Sequence, residues 1–358
     1  MDERLNTYLR YLVDNEGSDL YLTVAAPPSV KINGQMMPID TLAFACGEVD
    51  SIAQNIMTDA QRKIFAEHPE MNLALPVTGV GRFRVNIFRQ RAETGMVIRH
   101  IKSDIPSIES LGLPPLVKQL CLEKNGLILF VGGTNTGKST SLASLMDYRN
   151  THCSGHIISV EDPIEYLHSH KKSIVNQREV GIDTDSYADA LRNTLRQAPD
   201  VILIGEINSQ ETMQHAITFS ETGHLCLSTL HANNAHQALE RVINFFPIEH
   251  RERLLLDLSM NLRAVISQRL VPSVQGRRVA AFEILLTTPL VKDYLLRGAI
   301  SEIDDVIGRS EDVGMQSFDE ALYQLYTTGK ISEDNALQYA NSRNNLRLRI
   351  NLGNKNPH

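Results

Sequence analysis

The sequence contains no apolar run approaching the roughly 20 residues that a membrane-spanning helix needs. Its start, MDERLNTYLRYLVD, carries acids among its first residues and has no apolar core of a secretory signal. The expectation is a chain without direct membrane insertion; if it works at a membrane, a partner holds it there. Cysteine is scarce. Cys46, Cys121, Cys153 and Cys226 lie far apart with no C-x-x-C pair, which indicates neither a zinc site nor a disulfide framework and fits a reducing cytosol. Basic excess is missing too: 35 Lys and Arg face 42 Asp and Glu, a net charge of −7. With no basic-aromatic tract either, nucleic acid is not an expected partner, and any contact with a polyanion would need a local patch. No internal repeat or long low-complexity tract is visible. What remains is ordinary globular composition, 42% hydrophobic and 22% charged over 358 residues, with room for about two or three domains.

The texture of the chain changes along its length. Residues 1–100 read as a small α+β domain. LNTYLRYLVD has helical spacing, and SDLYLTV and PSVKING alternate like strands on either side of Pro27-Pro28, with a turn at Asn33-Gly34. VDSIAQNIMTDAQRKIFAEH reads as one helix with Asp50 as a cap, and GRFRVNIFRQRAETGMVIRHI as two strands turning near Thr94-Gly95. Residues 101–113, rich in Pro, Ser and Gly, read as a linker. From 114 to 270, apolar strands (GLILFV, HIISVED, VILIGEI, LCLSTLH) alternate with helices, which predicts an α/β core with a mostly parallel sheet. After about residue 247 the pattern reads as mainly helical, with IEHRERLLLDLSMNLRAVISQRL as a single helix, 271–358 as a helical C-terminal region and a basic tail mobile at its end.

The strongest motif is Gly132-Gly133-Thr134-Asn135-Thr136-Gly137-Lys138-Ser139-Thr140, which fits G-x-x-x-x-G-K-[ST] between an apolar strand and a helix. Glycines let backbone N–H groups converge on phosphate oxygens, the lysine reaches the terminal phosphates, and the serine is placed to ligate Mg²⁺. The bland alternative is an ordinary strand–helix turn. A second apolar strand, Val201-Ile202-Leu203-Ile204, runs through Gly205 into Glu206, a carboxylate placed to order Mg²⁺ or water. The common acid before that glutamate is missing; Gly205 stands there. Glu161, Asp162 and Glu165 crowd the end of another strand, a cation- or base-binding set or simply a solvated loop. His224 and His231 flank one short strand, where a histidine can sense a γ-phosphate or serve structure alone. Among the N-terminal arginines, Arg82 and Arg84 alternate and share one strand face. That makes either an exposed basic surface or a pair of arginine fingers.

Together GGTNTGKST, SVEDPIEY, PDVILIGE, ETMQHAITFSETGHLCLSTLHANNA and ERVINFFP resemble the secretion-superfamily ATPases, and within them the PilT/PilU group of type IV pilus retraction ATPases. SDLYLTVAAPPSVKINGQM and GRFRVNIFRQR resemble that group's N-terminal PAS-like domain, so the likeness covers nearly the whole chain. GMQSFDEALYQLY and NNLRLRI look more like the PilU branch. The resemblance implies a RecA-like P-loop core, an α+β PAS-like N-terminal domain and a helical C-terminal region. It implies homohexameric rings that hydrolyse ATP with Mg²⁺ in the cytoplasm at the inner-membrane base of a pilus. A sister PilT-type ATPase and a membrane platform protein are the implied partners. Residues 132–140 match the Walker A positions; Glu165 matches the water-activating glutamate, Glu206 the Walker B glutamate acting on Mg²⁺, His224 and His231 the His-box, and Arg82 and Arg84 the arginines that reach the nucleotide.

The chain departs from the group at Gly133 and Asn135-Thr136 in the loop, and at Asn208-Ser209, where an Arg-Asp pair is usual. The AIRNLI-like stretch of PilT is not recognisable in TPLVKDYLLRGAI. Two rival readings are a weakly hydrolysing regulator of a sister ring and a pilus or type II secretion assembly ATPase. The latter usually carries a four-cysteine zinc insertion, which four scattered cysteines do not supply. A nucleic-acid motor on the same core is the third, and the acidic balance opposes it.

Overall fold

A computed structural model describes residues 2–32, 34–309 and 314–354. Its contacts divide into two compact units. The first holds the described residues of Met1–Asp104 with Ile164–Leu167 and Gly181–Asp183; the second holds those of Ile105–Pro163, His168–Val180 and Thr184–His358.

The first unit opens with helix α1 (Glu3–Asp14), which buries Leu5, Tyr8, Leu9 and Leu12 along one stripe. Strands β1 (Asp19–Leu22), β2 (Ser29–Ile32) and β3 (Gln35–Pro38) follow, then helices α2 (Glu48–Ile56) and α3 (Asp59–Glu67), then β4 (Glu70–Val77), β5 (Gly81–Gln90) and β6 (Glu93–Ile101). The strands form one antiparallel sheet in the order β3-β2-β1-β6-β5-β4. Phe83, Val85 and Ile87 on β5 point into the core, so Arg82 and Arg84 share the opposite face.

Two expectations need correction here. The stretch read as one helix breaks at Met57, because Thr58 caps a new helix through a reciprocal bond with Gln61. Asp50 lies in the first turn of α2 behind the N-cap Gly47, and accepts from Thr94 Oγ1 at 2.6 Å. The β5–β6 turn falls at Arg91-Ala92, both at positive φ, while Thr94 and Gly95 lie inside β6. Of the turn read at Asn33-Gly34, Asn33 lies outside the described residues.

The second unit is built on a seven-stranded sheet. Its elements are α4 (Pro115–Leu120), β7 (Gly126–Val131), α5 (Lys138–His152), β8 (Gly155–Glu161), β9 (Ser173–Glu179), α6 (Tyr187–Thr194), β10 (Val201–Ile204), α7 (Gln210–Glu221), β11 (Leu225–Leu230), α8 (Ala235–Asn244), α9 (Ile248–Asn261), β12 (Leu262–Pro272), β13 (Arg278–Leu286), α10 (Pro289–Arg297), α11 (Ile303–Arg309), α12 (Phe318–Thr327), α13 (Glu333–Tyr339) and α14 (Arg343–Asn354). The strand order is β13-β12-β7-β11-β10-β8-β9, parallel except for the β12–β13 pair. On β7, Leu127, Leu129 and Val131 pack into one hydrophobic cluster, and Ile128 and Phe130 into another. Both faces of this strand are therefore covered, and its sequence is a continuous apolar run rather than an alternation.

Among the described residues the chain after 247 is mainly helical, as expected, but the stretch read as a single helix from Ile248 is not one helix. Helix α9 stops at Asn261, and 262–286 form a hairpin whose first strand pairs with β7. Val265, Ile266 and Val271 suit a strand, and pairing on both sides satisfies its backbone. The first part of the segment read as a basic tail is helix α14, whose Leu346 and Ile350 join one buried cluster with residues of α12 and α13. Residues 355–358 lie outside the described part.

Candidate functional site

In the second unit β7 ends at Val131 and the glycine-rich segment begins. Its backbone geometry explains its composition. A Cβ on Gly132 would lie 2.4 Å from Thr136 Oγ1 and 2.7 Å from the Gln268 carbonyl oxygen, too close for any side chain. Gly137 takes φ 88° at the N-cap of α5, and Asn135 takes φ 61°, conformations that favour glycine and asparagine. No side chain caps α5. The Thr136 hydroxyl donates to the Gly133 carbonyl at 2.9 Å and closes the loop. The Lys138 ammonium, buried, donates to the carbonyls of Gly132 and Gly133, both at 2.8 Å. A concave backbone, a buried ammonium and a helix N-terminus meet in one place, the arrangement that holds phosphate.

The neighbouring parallel strands carry the rest. Leu230 on β11 sits level with Val131 on β7, and Ile204 on β10 level with Ser228 on β11. Three strand ends therefore lie side by side, the carboxyl edge where open α/β sheets bind ligands. Glu206 and His231 emerge there, and Glu206 Oε2 lies 3.6 Å from His231 Nε2. The His231 carbonyl accepts from Arg241 at 3.0 Å, which ties this edge to α8. The position before Glu206 is crowded. A Cβ on Gly205 would stand 2.9 Å from the Tyr187 hydroxyl and 3.1 Å from the Glu161 Cα. Any side chain there would have to displace these neighbours, which disfavours the usual carboxylate at that position.

Tyr187 is a residue that sequence reasoning missed. It starts α6 behind the Ser186 cap, and nothing local marks it. Burial, then the charges of Asp162, Glu161 and Glu206, push its phenol well above the ordinary value, and the Glu206 backbone hydrogen-bonds it. Its hydroxyl stays protonated among three carboxylates. Gln268 was missed as well, because it lies in a strand whose spacing reads as helix. It is buried, and its Oε1 accepts from Ser141 Oγ at 2.8 Å, linking β12 to α5.

The site residues named from the sequence do not all gather. Gly132 to Thr140, Glu206 and His231 lie at the carboxyl edge of the second unit. His224 lies at the other edge: its carbonyl accepts from Gly126 at the start of β7, and its Nδ1 is 3.1 Å from the Phe219 carbonyl. The six residues of β11 put about 20 Å between it and His231, so His224 does not reach the loop of its own chain. Glu165 is exposed and belongs, with Arg82 and Arg84, to the first unit. Its segment is held by the Leu167 N–H donating to the Lys102 carbonyl at 3.0 Å. Among the described residues no three His, Cys, Asp or Glu side chains converge on a metal position, and no helix is long and apolar enough to cross a membrane.

A parallel sheet whose first strand runs through a glycine loop into a helix, with a glutamate and histidine on the adjoining strand ends, defines a P-loop nucleotide-binding core. The model of the Type II/IV secretion system protein family matches residues 4–347, and the chain belongs to that family. It is 53% identical over 346 residues to the type IV pilus ATPase PilU of Pseudomonas aeruginosa, covering 96% of this chain and 91% of that one. It is 39% identical to the type IV pilus retraction ATPase PilT of the same organism, over 93% of this chain and 96% of that one. The crystal structure of the pilus retraction motor PilT with bound ADP superposes with a TM-score of 0.88 at 38% identity, covering 95% of this chain and 98% of that chain. The chain is accordingly an ATP hydrolase of the secretion ATPases, similar to PilU, and a nucleotide binder.

Proposed function

We propose that the protein hydrolyses ATP to drive or assist type IV pilus retraction, as a PilU-like accessory motor working in a homohexamer. The observation that carries the reading is the meeting of Lys138, Glu206 and His231 at the carboxyl edge of one parallel sheet.

The tasks assigned to the loop, Glu206 and His231 are supported by their place at the sheet edge, and those assigned to Glu165, Arg82 and Arg84 by the resemblance to the PilT/PilU group. The loop amides and the Lys138 ammonium bind the phosphates; the ammonium exchanges two carbonyl partners for phosphate oxygens. Mg²⁺, when bound, neutralises charge developing on the phosphates and takes few protein ligands beside them. Ser139 and Glu206 are the residues that would hold it, Glu206 through water. His231 beside Glu206 is placed to hydrogen-bond the terminal phosphate or its water. Glu165 is assigned to activating the attacking water, and Arg82 and Arg84 to the nucleotide's phosphates. Because His224 stands at the far edge of its own sheet, a nucleotide contact from it is assigned to a neighbouring subunit's site. The location that suits this work is the cytoplasmic side of the inner membrane, with a pilus platform protein and a sister PilT-type ATPase as partners.

Steady-state ATP hydrolysis by the full chain, with its mass in solution, tests the reading when run beside Lys138→Ala. Turnover that depends on Lys138 in a six-subunit particle supports a working ring. ATP binding without turnover supports instead a regulatory subunit that props up a sister ring. Undiminished turnover in Lys138→Ala would sink the site assignment.

A further inference from the structure

Strand β10 pairs with β8 and β11 as far as Ile204. The chain then leaves the sheet through Gly205, Glu206 and Ile207, and hydrogen bonds pin that turn on every side. The Gly205 N–H donates to the Val160 carbonyl at 2.7 Å, and the Ile207 N–H to the Thr229 carbonyl at 2.9 Å. The Thr229 hydroxyl donates to the Gly205 carbonyl at 2.5 Å. The Glu206 main chain hydrogen-bonds Tyr187 of α6 and favours its ionised form, so it acts there as a donor, through its N–H.

Two of these bonds act on one peptide plane. The Gly205 carbonyl and the Glu206 N–H belong to the same planar unit and point to opposite sides of it. Thr229 holds one edge and Tyr187 the other. Gly205 adds no stiffness of its own, because without a Cβ its dihedrals are loosely restrained. The direction in which Glu206 leaves the sheet is therefore set by what grips this plane. Thr229 is buried and β-branched, which leaves its hydroxyl few other settings. Two residues on, His231 brings Nε2 to 3.6 Å from Glu206 Oε2. The chain of β11 thus holds the main chain of the glutamate at one residue and meets its carboxylate at another.

We infer that Thr229 and Tyr187 are positioning residues for ATP hydrolysis: their hydroxyls fix the peptide plane ahead of Glu206 and so set where its carboxylate stands at the sheet edge. Neither is assigned a contact with the nucleotide. The inference rests on the reading of Glu206 as a residue of the hydrolysis reaction. A site of this kind needs its groups held to within about 0.5 Å, and a turn built on glycine reaches that only through its partners.

Thr229→Val keeps the shape and removes one donor; Tyr187→Phe removes the hydroxyl on the other side. Each should lower kcat about 10- to 100-fold, since a misplacement of about 1 Å costs up to about 10²-fold, with KM for ATP little changed. Thr229→Ser keeps the donor and should restore most of the loss. Ser228→Ala is the control. Ser228 Oγ donates to the Ile204 carbonyl at 2.8 Å, within the paired part of β10, so its removal should lower stability without a matching fall in kcat. The deciding measurement places Thr229→Val in a Glu206→Gln background, where a residue that acts through Glu206 should cost nothing further. If Thr229→Val does not fold, Tyr187→Phe in the same two backgrounds decides. A further loss of full size in the Glu206→Gln background, an equal fall in Ser228→Ala, or undiminished turnover in the variants would overturn the inference and leave the role of Glu206 intact. Undiminished turnover in Glu206→Gln alone would overturn that role and the inference with it.

Discussion

Glu206 Oε2 stands 3.6 Å from His231 Nε2, at the ends of adjacent parallel strands, with both side chains about one-third exposed. A contact this open to solvent adds little to folding, so its placement is better explained by chemistry at the sheet edge than by stability. Glu206→Gln keeps the shape and removes the charge. It is expected to lower kcat by about 10²- to 10⁴-fold with KM little changed, since the interaction lost is one made in the transition state. Nucleotide titration and steady-state kinetics on the same preparation check this. A fall in affinity that accounts for the whole loss would move Glu206 from catalysis to binding.

Gly132→Ala tests whether the loop is built around an absent side chain. The added methyl would lie 2.4 Å from Thr136 Oγ1 and 2.7 Å from the Gln268 carbonyl oxygen. The hydroxyl can turn away, but the carbonyl belongs to a strand paired on both sides. The loop must therefore shift, at a cost of about 1–3 kcal/mol, and ATP affinity should fall with it. Denaturant unfolding and ATP titration read the two effects separately.

The loop and the strands feeding it were legible because they are buried on both faces. Leu127 to Val131 and Val201 to Ile204 carry no polar residue, and runs so short and apolar, each closed by a glycine, have few other uses. The hairpin at 262–286 was not legible. Apolar residues in LRAVISQRL continue the helical spacing of α9, and only pairing with β7 and β13 makes the segment a strand. Strand β9, at the sheet edge with Ile174 and Asn176 exposed, has too weak an alternation to announce itself. His224 and His231 looked equivalent because they flank one strand symmetrically; the direction of a parallel sheet separates them. Tyr187 gave no signal, since its position beside Glu206 is set by how α6 packs on β8 and α7.

Stability should depend on Glu283 in an unusual direction. Its carboxylate is buried between β12 and α8, and Oε1 accepts from the Ala235 N–H at 2.8 Å and from Ser267 Oγ at 3.1 Å. Burial nevertheless raises its pKa above the ordinary 4.5, with the two hydrogen bonds opposing the shift. A carboxyl whose folded pKa is raised contributes stability below its unfolded value, and that contribution is lost as pH rises through the folded one. Glu283→Gln keeps an oxygen for both donors and removes the charge. From about pH 4 to pH 7 the unaltered protein should therefore lose stability relative to Glu283→Gln. Thermal unfolding of both across that range checks it, and parallel curves would mean the burial penalty is not felt.

Asn208-Ser209, standing where the PilT/PilU group usually has Arg-Asp, keeps one function of the pair and drops the other. Ser209 is the N-cap of α7, its Oγ accepting from the Thr212 N–H at 3.2 Å. Aspartate caps a helix as well as serine does. The exchange therefore leaves the helix start intact while removing both charges from the turn between Glu206 and α7, where Asn208 is exposed. Ser209→Ala should then cost about 1 kcal/mol, and Ser209→Asp should cost nothing measurable. Restoring both charges with Asn208→Arg and Ser209→Asp should leave the unfolding curve in place and raise steady-state ATP turnover. An unfolding curve that moves with the double change would show the pair to be structural, and an unmoved turnover would show that the lost charges do not limit this chain's hydrolysis.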